Sequence, residues 1–142
     1  MRIMALDHGD RRVGVAISDP LEIAAHAVTT LESDGSDRII DDVRELVEEK
    51  DAELVVVGLP INMNGSEGER AQKARSFAKK LRRILVDVPV KLSDERLSSA
   101  EAHRALSQQN VSMGERGRRV DQMAAQVILR RYMRARENSP SS

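Results

Sequence analysis

The chain has no cysteine and no tryptophan, and it carries only two residues of the Phe/Tyr/Trp class, Phe77 and Tyr132. Without cysteine, disulfides and thiolate metal sites are excluded, which suits a reducing compartment. So few aromatics leave little room for proteins that read nucleic acid by stacking many bases. Apolar runs are short: Leu54–Val57 falls far below the ~20 residues of a spanning helix, and no leader pattern opens the chain. The expectation is a cytoplasmic protein with no membrane partner. Net charge is also missing, with 23 basic against 23 acidic side chains, which on totals speaks against a polyanion partner. What is present is 142 residues, 40% hydrophobic and 32% charged, without repeats or a linker. That length fits one domain, over residues 1–137, with 138–142 as a frayed tail.

The charge is unevenly spread. Residues 32–53 hold ten acids and three bases; residues 69–91 hold eight bases and two acids; residues 114–136 hold seven arginines and two acids. Each run is the ordinary solvated side of an amphipathic helix, yet two basic runs also make a phosphate-binding surface.

Arg2–Asp7 and Val13–Ser18 read as strands, and His8-Gly9-Asp10 between them turns the pair into a hairpin. A third strand is expected around Ala27–Leu31. Ile39, Ile40, Val43, Leu46 and Val47 recur at helical spacing, and Leu54–Gly58 is a strand covered on both faces. Ala71, Ala74, Ala78, Leu81 and Leu85 line one helical stripe, and Val88–Ser93 forms the fifth strand. Ser98-Ser99-Ala100-Glu101 has the form of a capping box opening a helix that fades near Gln108. A last helix runs from about Arg118 to Arg136. A three-strand meander followed by alternating helices and strands predicts an α/β fold: a five-stranded mixed sheet with helices on both faces.

Three acidic positions stand out. Asp7 closes an apolar strand just before a turn, either capping that turn or serving a site. Asp94 and Glu95 end the fifth strand and repel each other unless Arg96 or a cation compensates; strand alternation lets only one of them face a given side. Asp121 lies in line with Ala125, Ile128 and Tyr132, where a carboxylate is costly unless it pairs, for example with Arg118 or Arg119, or binds a metal. Together the three can converge. Oxygen-only ligands favour Mg²⁺ or Mn²⁺, and an acid-held ion beside basic surface describes phosphodiester hydrolysis.

Leu6-Asp7-His8-Gly9 with Arg12-Val13-Gly14-Val15-Ala16 resembles the opening of the YqgF/RuvX family of RNase H-fold nucleases. Val57-Gly58-Leu59-Pro60 leading to Asn62-Met63-Asn64-Gly65-Ser66-Glu67, then Asp94-Glu95-Arg96-Leu97-Ser98, then Val120-Asp121, are similar to its later motifs, in order, from Met1 to about Tyr132. The resemblance implies an RNase H-like fold and a hydrolase maturing the 5′ end of pre-16S ribosomal RNA on ribosomal precursor particles, leaving 5′-phosphate and 3′-hydroxyl ends. It carries over a catalytic set of Asp7, Asp121 and Glu95 or Asp94, with Asp7, Glu95 and Asp121 as metal ligands. Related resolvases place an acid on the fourth strand; this one ends in Gly58-Leu59-Pro60, so the strand-five pair must substitute.

Around this set, Arg96, Arg118 and Arg119 are candidate phosphate contacts. Arg12 binds phosphate or pairs with Asp10 or Asp19, and the Asn62 amide meets substrate or serves its own turn. His8 receives no catalytic role, and His26, His103, Met63 and Met113 read as surface or packing residues. Two other functions compete: a Holliday-junction-resolvase-like enzyme on branched DNA, requiring a dimer for paired cuts, and a non-catalytic ribosome-assembly factor. The oligomeric state expected is a monomer or weak homodimer.

Overall fold

A tight turn folds the start of the chain back on itself: the Gly9 N–H donates to the Arg12 carbonyl oxygen at 2.9 Å. In the computed structural model, which describes residues 1–95 and 113–137, this turn joins β1 (Ile3–His8) to β2 (Arg12–Ser18), and β3 (Ala25–Glu32) completes an antiparallel meander. There follow α1 (Arg38–Glu49), β4 (Leu54–Leu59), α2 (Glu69–Ile84), β5 (Val90–Asp94) and α3 (Met113–Glu137). The helix expected over 98–108 lies outside the described residues.

The sheet runs β3-β2-β1-β4-β5, with β4 parallel to both β1 and β5. Alternation along each strand divides the core in two. Met4, Leu6, Val55 and Val57 face α1 and α2, while Ile3, Ala5, Leu54 and Val56 face α3. β4 is therefore apolar on consecutive positions because both its faces are covered.

On the α1/α2 side, Val43, Ala74, Phe77 and Leu81 close the larger cluster. Acidic α1 thus sits across the sheet from α3. On the other side, Ala125, Ile128 and Leu129 seat α3, with Ile128 and Leu129 each contributing about 1.5–3 kcal/mol on burial. α3 begins five residues before the expected Arg118. Gly114 and Gly117 weaken the helical signal there, and packing overrides propensity. No helix among the described residues is long and apolar enough to cross a membrane.

Candidate active site

Register sets four residues side by side on the α3 face of the sheet, where the parallel strands end. Asp7 pairs with Gly14 across β1–β2. Leu6 lies beside Val57, which brings Gly58 next to Asp7, and Gly58 in turn pairs with Ser93. Asp7 therefore stands between two glycines. Both are glycine because α3 and its neighbours press close: a Cβ on Gly14 would overlap the Asp121 backbone carbonyl, and one on Gly58 would lie 2.5 Å from Ile128 Cδ1 and 3.3 Å from Glu95 Cγ. Asp121 sits over Gly14, and the stem of Glu95 lies over Gly58. Fully buried Ala124 and Ala125 permit the approach.

The three acids feel each other. Burial pushes the Asp7 carboxyl up to about 6, and the charges of Asp121 and, less strongly, Glu95 add to it, while Arg70 opposes the shift. Glu95 is only 5% exposed. Its N–H donates to the Leu59 carbonyl oxygen (2.9 Å), Ser93 Oγ donates to Oε1 (2.9 Å), and Arg131 Nη1 lies 3.3 Å from Oε2. Asp121 Oδ2 lies 2.9 Å from Arg12 Nε, and the Arg12 guanidinium packs over Gly117, where a Cβ would come within 2.6 Å of it.

Several expectations change. Glu95, not Asp94, is brought to Asp7: Asp94 falls on the other phase of β5 and is exposed. Asp121 meets Arg12 rather than Arg118 or Arg119, and Arg12 meets Asp121 rather than Asp10 or Asp19. Arg118 is exposed and reaches Glu32 at 3.2 Å, while its carbonyl accepts from Thr30 Oγ1 at 2.9 Å. Arg119 is also exposed, and Arg96 lies outside the described residues. Asn62 serves its own turn: its Nδ2 donates to Ser66 Oγ at 3.0 Å, its carbonyl accepts from the Gly65 N–H at 2.8 Å, and Gly65 supplies the positive φ of 87°. His8 points to the opposite face, against Phe77, and burial lowers its pKa.

The basic run of α2 is also placed differently, on the sheet face away from α3. Lys73 pairs with Asp10, Arg75 with Glu67 and Lys80 with Asp37, and Arg82 donates to the Val90 carbonyl oxygen. Arg70, at the start of α2, is the cation of that helix whose field reaches Asp7 most strongly. Arg70 and Arg131 were not singled out from sequence. Arg131 carries one signal, standing three residues beyond Ile128 on the flank of the buried stripe; Arg70 carries none.

An all-oxygen donor set whose charges raise the central carboxyl is short of positive charge and fits a hard divalent cation. Among the described residues, no three His, Asp or Glu side chains stand ready to share one ion; arginines hold the two outer acids. Asp7, Glu95 and Asp121 are the residues that would hold it, with Arg12 and Arg131 yielding.

A family model named RuvX and described as Holliday junction resolvase matches residues 1–135. The chain belongs to the RuvX family. A relative from Clostridium novyi is 42% identical over 133 residues, covering 94% of this chain and 98% of its own. Another, from Caldanaerobacter subterraneus, is 40% identical over 140 residues, 98% of this chain and 100% of its own. Both carry the provisional name pre-16S rRNA nuclease. Thermus thermophilus RuvC, solved with a Holliday junction substrate, superposes with a TM-score of 0.61 at 18% identity over 97% of each chain. The RuvX chain therefore has the RNase H-like fold its motifs imply.

Proposed function

We propose that this RuvX chain is a divalent-metal-dependent nuclease hydrolysing phosphodiester bonds, with the 5′ end of pre-16S rRNA as its substrate and Mg²⁺ or Mn²⁺ as its ion. The observation that carries the reading is the half-buried Asp7, whose carboxyl is shifted upward by desolvation and then by the charges of Asp121 and Glu95. Groups so perturbed collect at functional sites. The names of the relatives supply the RNA.

When bound, the ion would activate water and stabilise the attacking and leaving oxygens. The chain's own residues do the rest. Asp7 presents its carboxylate from a rigid strand end, and Ser93 fixes one oxygen of Glu95. Arg12 and Arg131 hold the outer acids, and with an ion bound to those acids their guanidiniums would stand where a phosphate could meet them. Arg70 adds a third cation beside Asp7. A cysteine-free chain acting on ribosomal precursor particles fits a cytoplasmic site of action.

The family description favours a second substrate, a four-way DNA junction. Incubating the protein and Mn²⁺ with a precursor RNA and, in parallel, with a junction separates the two. Cleavage of the RNA to a 5′-phosphate end is expected. Paired symmetric cuts in the junction by a dimer would move the activity to DNA, and tight RNA binding without any cleavage would make the chain an assembly factor.

A further inference from the structure

Behind Asp7, on the opposite face of the sheet, α1, α2 and the 33–37 loop enclose a cleft of about 420 Å³. Its floor is the ring pair His8–Phe77, centroids 4.5 Å apart and planes inclined by 34°. Phe77 is buried, whereas His8 is half-buried, and both line the cleft. Gln72 and Ser76 line one wall from the exposed side of α2. The cations at the rim are already engaged: Lys73 Nζ lies 2.9 Å from Asp10, and Lys80 Nζ 2.8 Å from Asp37.

That chemistry does not suit a phosphate, which needs uncommitted positive charge. It suits a flat, uncharged group with a hydrogen-bonding edge, in a space within the range of small-ligand sites. Position narrows the choice further. His8 follows Asp7 directly, so their Cα atoms are about 3.8 Å apart while their side chains take opposite faces. A nucleic-acid strand with a phosphate at Asp7 would have to cross the end of β1 for its next unpaired nucleotide to reach this cleft.

We propose that the cleft receives one unpaired nucleobase of the substrate strand, stacked on His8 with its edge read by Gln72 and Ser76. The subsite rests on the nuclease reading above. It makes an unpaired nucleotide beside the scissile bond a requirement for tight binding, so the enzyme selects single-stranded flanks over continuous duplex. One ring platform is enough for one base, which agrees with a chain so poor in aromatics.

The test uses the full chain with Asp7→Asn, to prevent cleavage, and precursor RNAs carrying 2-aminopurine at successive positions around the cleavage site. Fluorescence should fall at one unpaired position on binding. His8→Ala should abolish that change and weaken binding about tenfold, the scale of one lost base stack. Because His8 adjoins Asp7, a second variant is needed: Ser76→Leu fills the cleft from the exposed face of α2 and should act alike. Binding to RNA paired throughout should be the same in all three proteins. Tight binding with no responsive position, or a response kept by either variant, overturns the subsite alone. Failure of the parent to bind RNA at all overturns the nuclease reading and the subsite with it.

Discussion

Arg12 Nε lies 2.9 Å from Asp121 Oδ2, tying the first residue of β2 to the helix that crosses the far side of the sheet. The two side chains are 39% and 19% exposed, so solvent screens the pair only in part. Arg12→Gln is expected to lower unfolding free energy by about 1–2 kcal/mol, because it removes a guanidinium 2.9 Å from Asp121, whose charge also bears on Asp7. The same change removes the ion's competitor. Calorimetry with and without Mn²⁺ should therefore show a larger metal-induced rise in Tm for the variant than for the wild type; equal rises would count against competition.

The pH dependence follows from Asp7. Its folded pKa, about 6, lies above the ordinary 3.8. A carboxyl raised on folding contributes stability that is fully present below pH 4 and lost as pH climbs through 6. The cost of ionising it in the fold is on the order of 3 kcal/mol at neutral pH. Asp7→Asn should therefore raise Tm at pH 7.5, and the gain should shrink to nothing near pH 4. A pH series of melting curves reads both ends.

Gly14 and Gly58 should not tolerate alanine equally. At Gly14 the added methyl meets the Asp121 backbone, which cannot move without shifting α3; at Gly58 it meets the tip of Ile128, a flexible side chain. Overpacking costs about 1–3 kcal/mol, and Gly14→Ala should sit at or above the top of that range with Gly58→Ala below it. Urea midpoints give the order, and Gly14→Ala should also lose cleavage because Asp121 is displaced.

Arg70 should be felt through phosphate. Arg70→Ala is expected to weaken binding to all RNA sequences alike and to reduce the slope of log affinity against log salt by roughly 1. It should also push the Asp7 carboxyl higher, since Arg70 opposes its shift. Nitrocellulose binding across a salt series reads the slope; an unchanged slope would place Arg70 off the RNA path.

The strands were legible because β1, β2 and β4 bury consecutive apolar residues, and the stripes of α1 and α2 stood out for the same reason. β3 proved longer than Ala27–Leu31 because a half-exposed edge strand carries less apolar signal at its ends. Asp7 and Asp121 were visible as acids in apolar settings. Asp94 and Glu95 were not separable from the chain alone, because alternation gives a period and only the Gly58–Ser93 register gives the phase. Arg12 and Asp121 meet across most of the chain's length, a contact no local spacing announces. Neutral net charge concealed the layout: acidic α1 lies across the sheet from α3, and much of the α2 charge is neutralised by acids beside it.

The central claim is that Asp7, Glu95 and Asp121 act together and Asp94 does not. Its most direct test is the cleavage rate of a pre-16S rRNA fragment in Mg²⁺ or Mn²⁺ for the wild type, Asp7→Asn, Glu95→Gln, Asp121→Asn and Asp94→Asn. Rates at least about 100-fold lower are expected for the first three variants, the scale of losing a group that acts on the transition state, with Asp94→Asn near wild type. Undiminished cleavage by Asp7→Asn, or a loss confined to Asp94→Asn, would contradict the account.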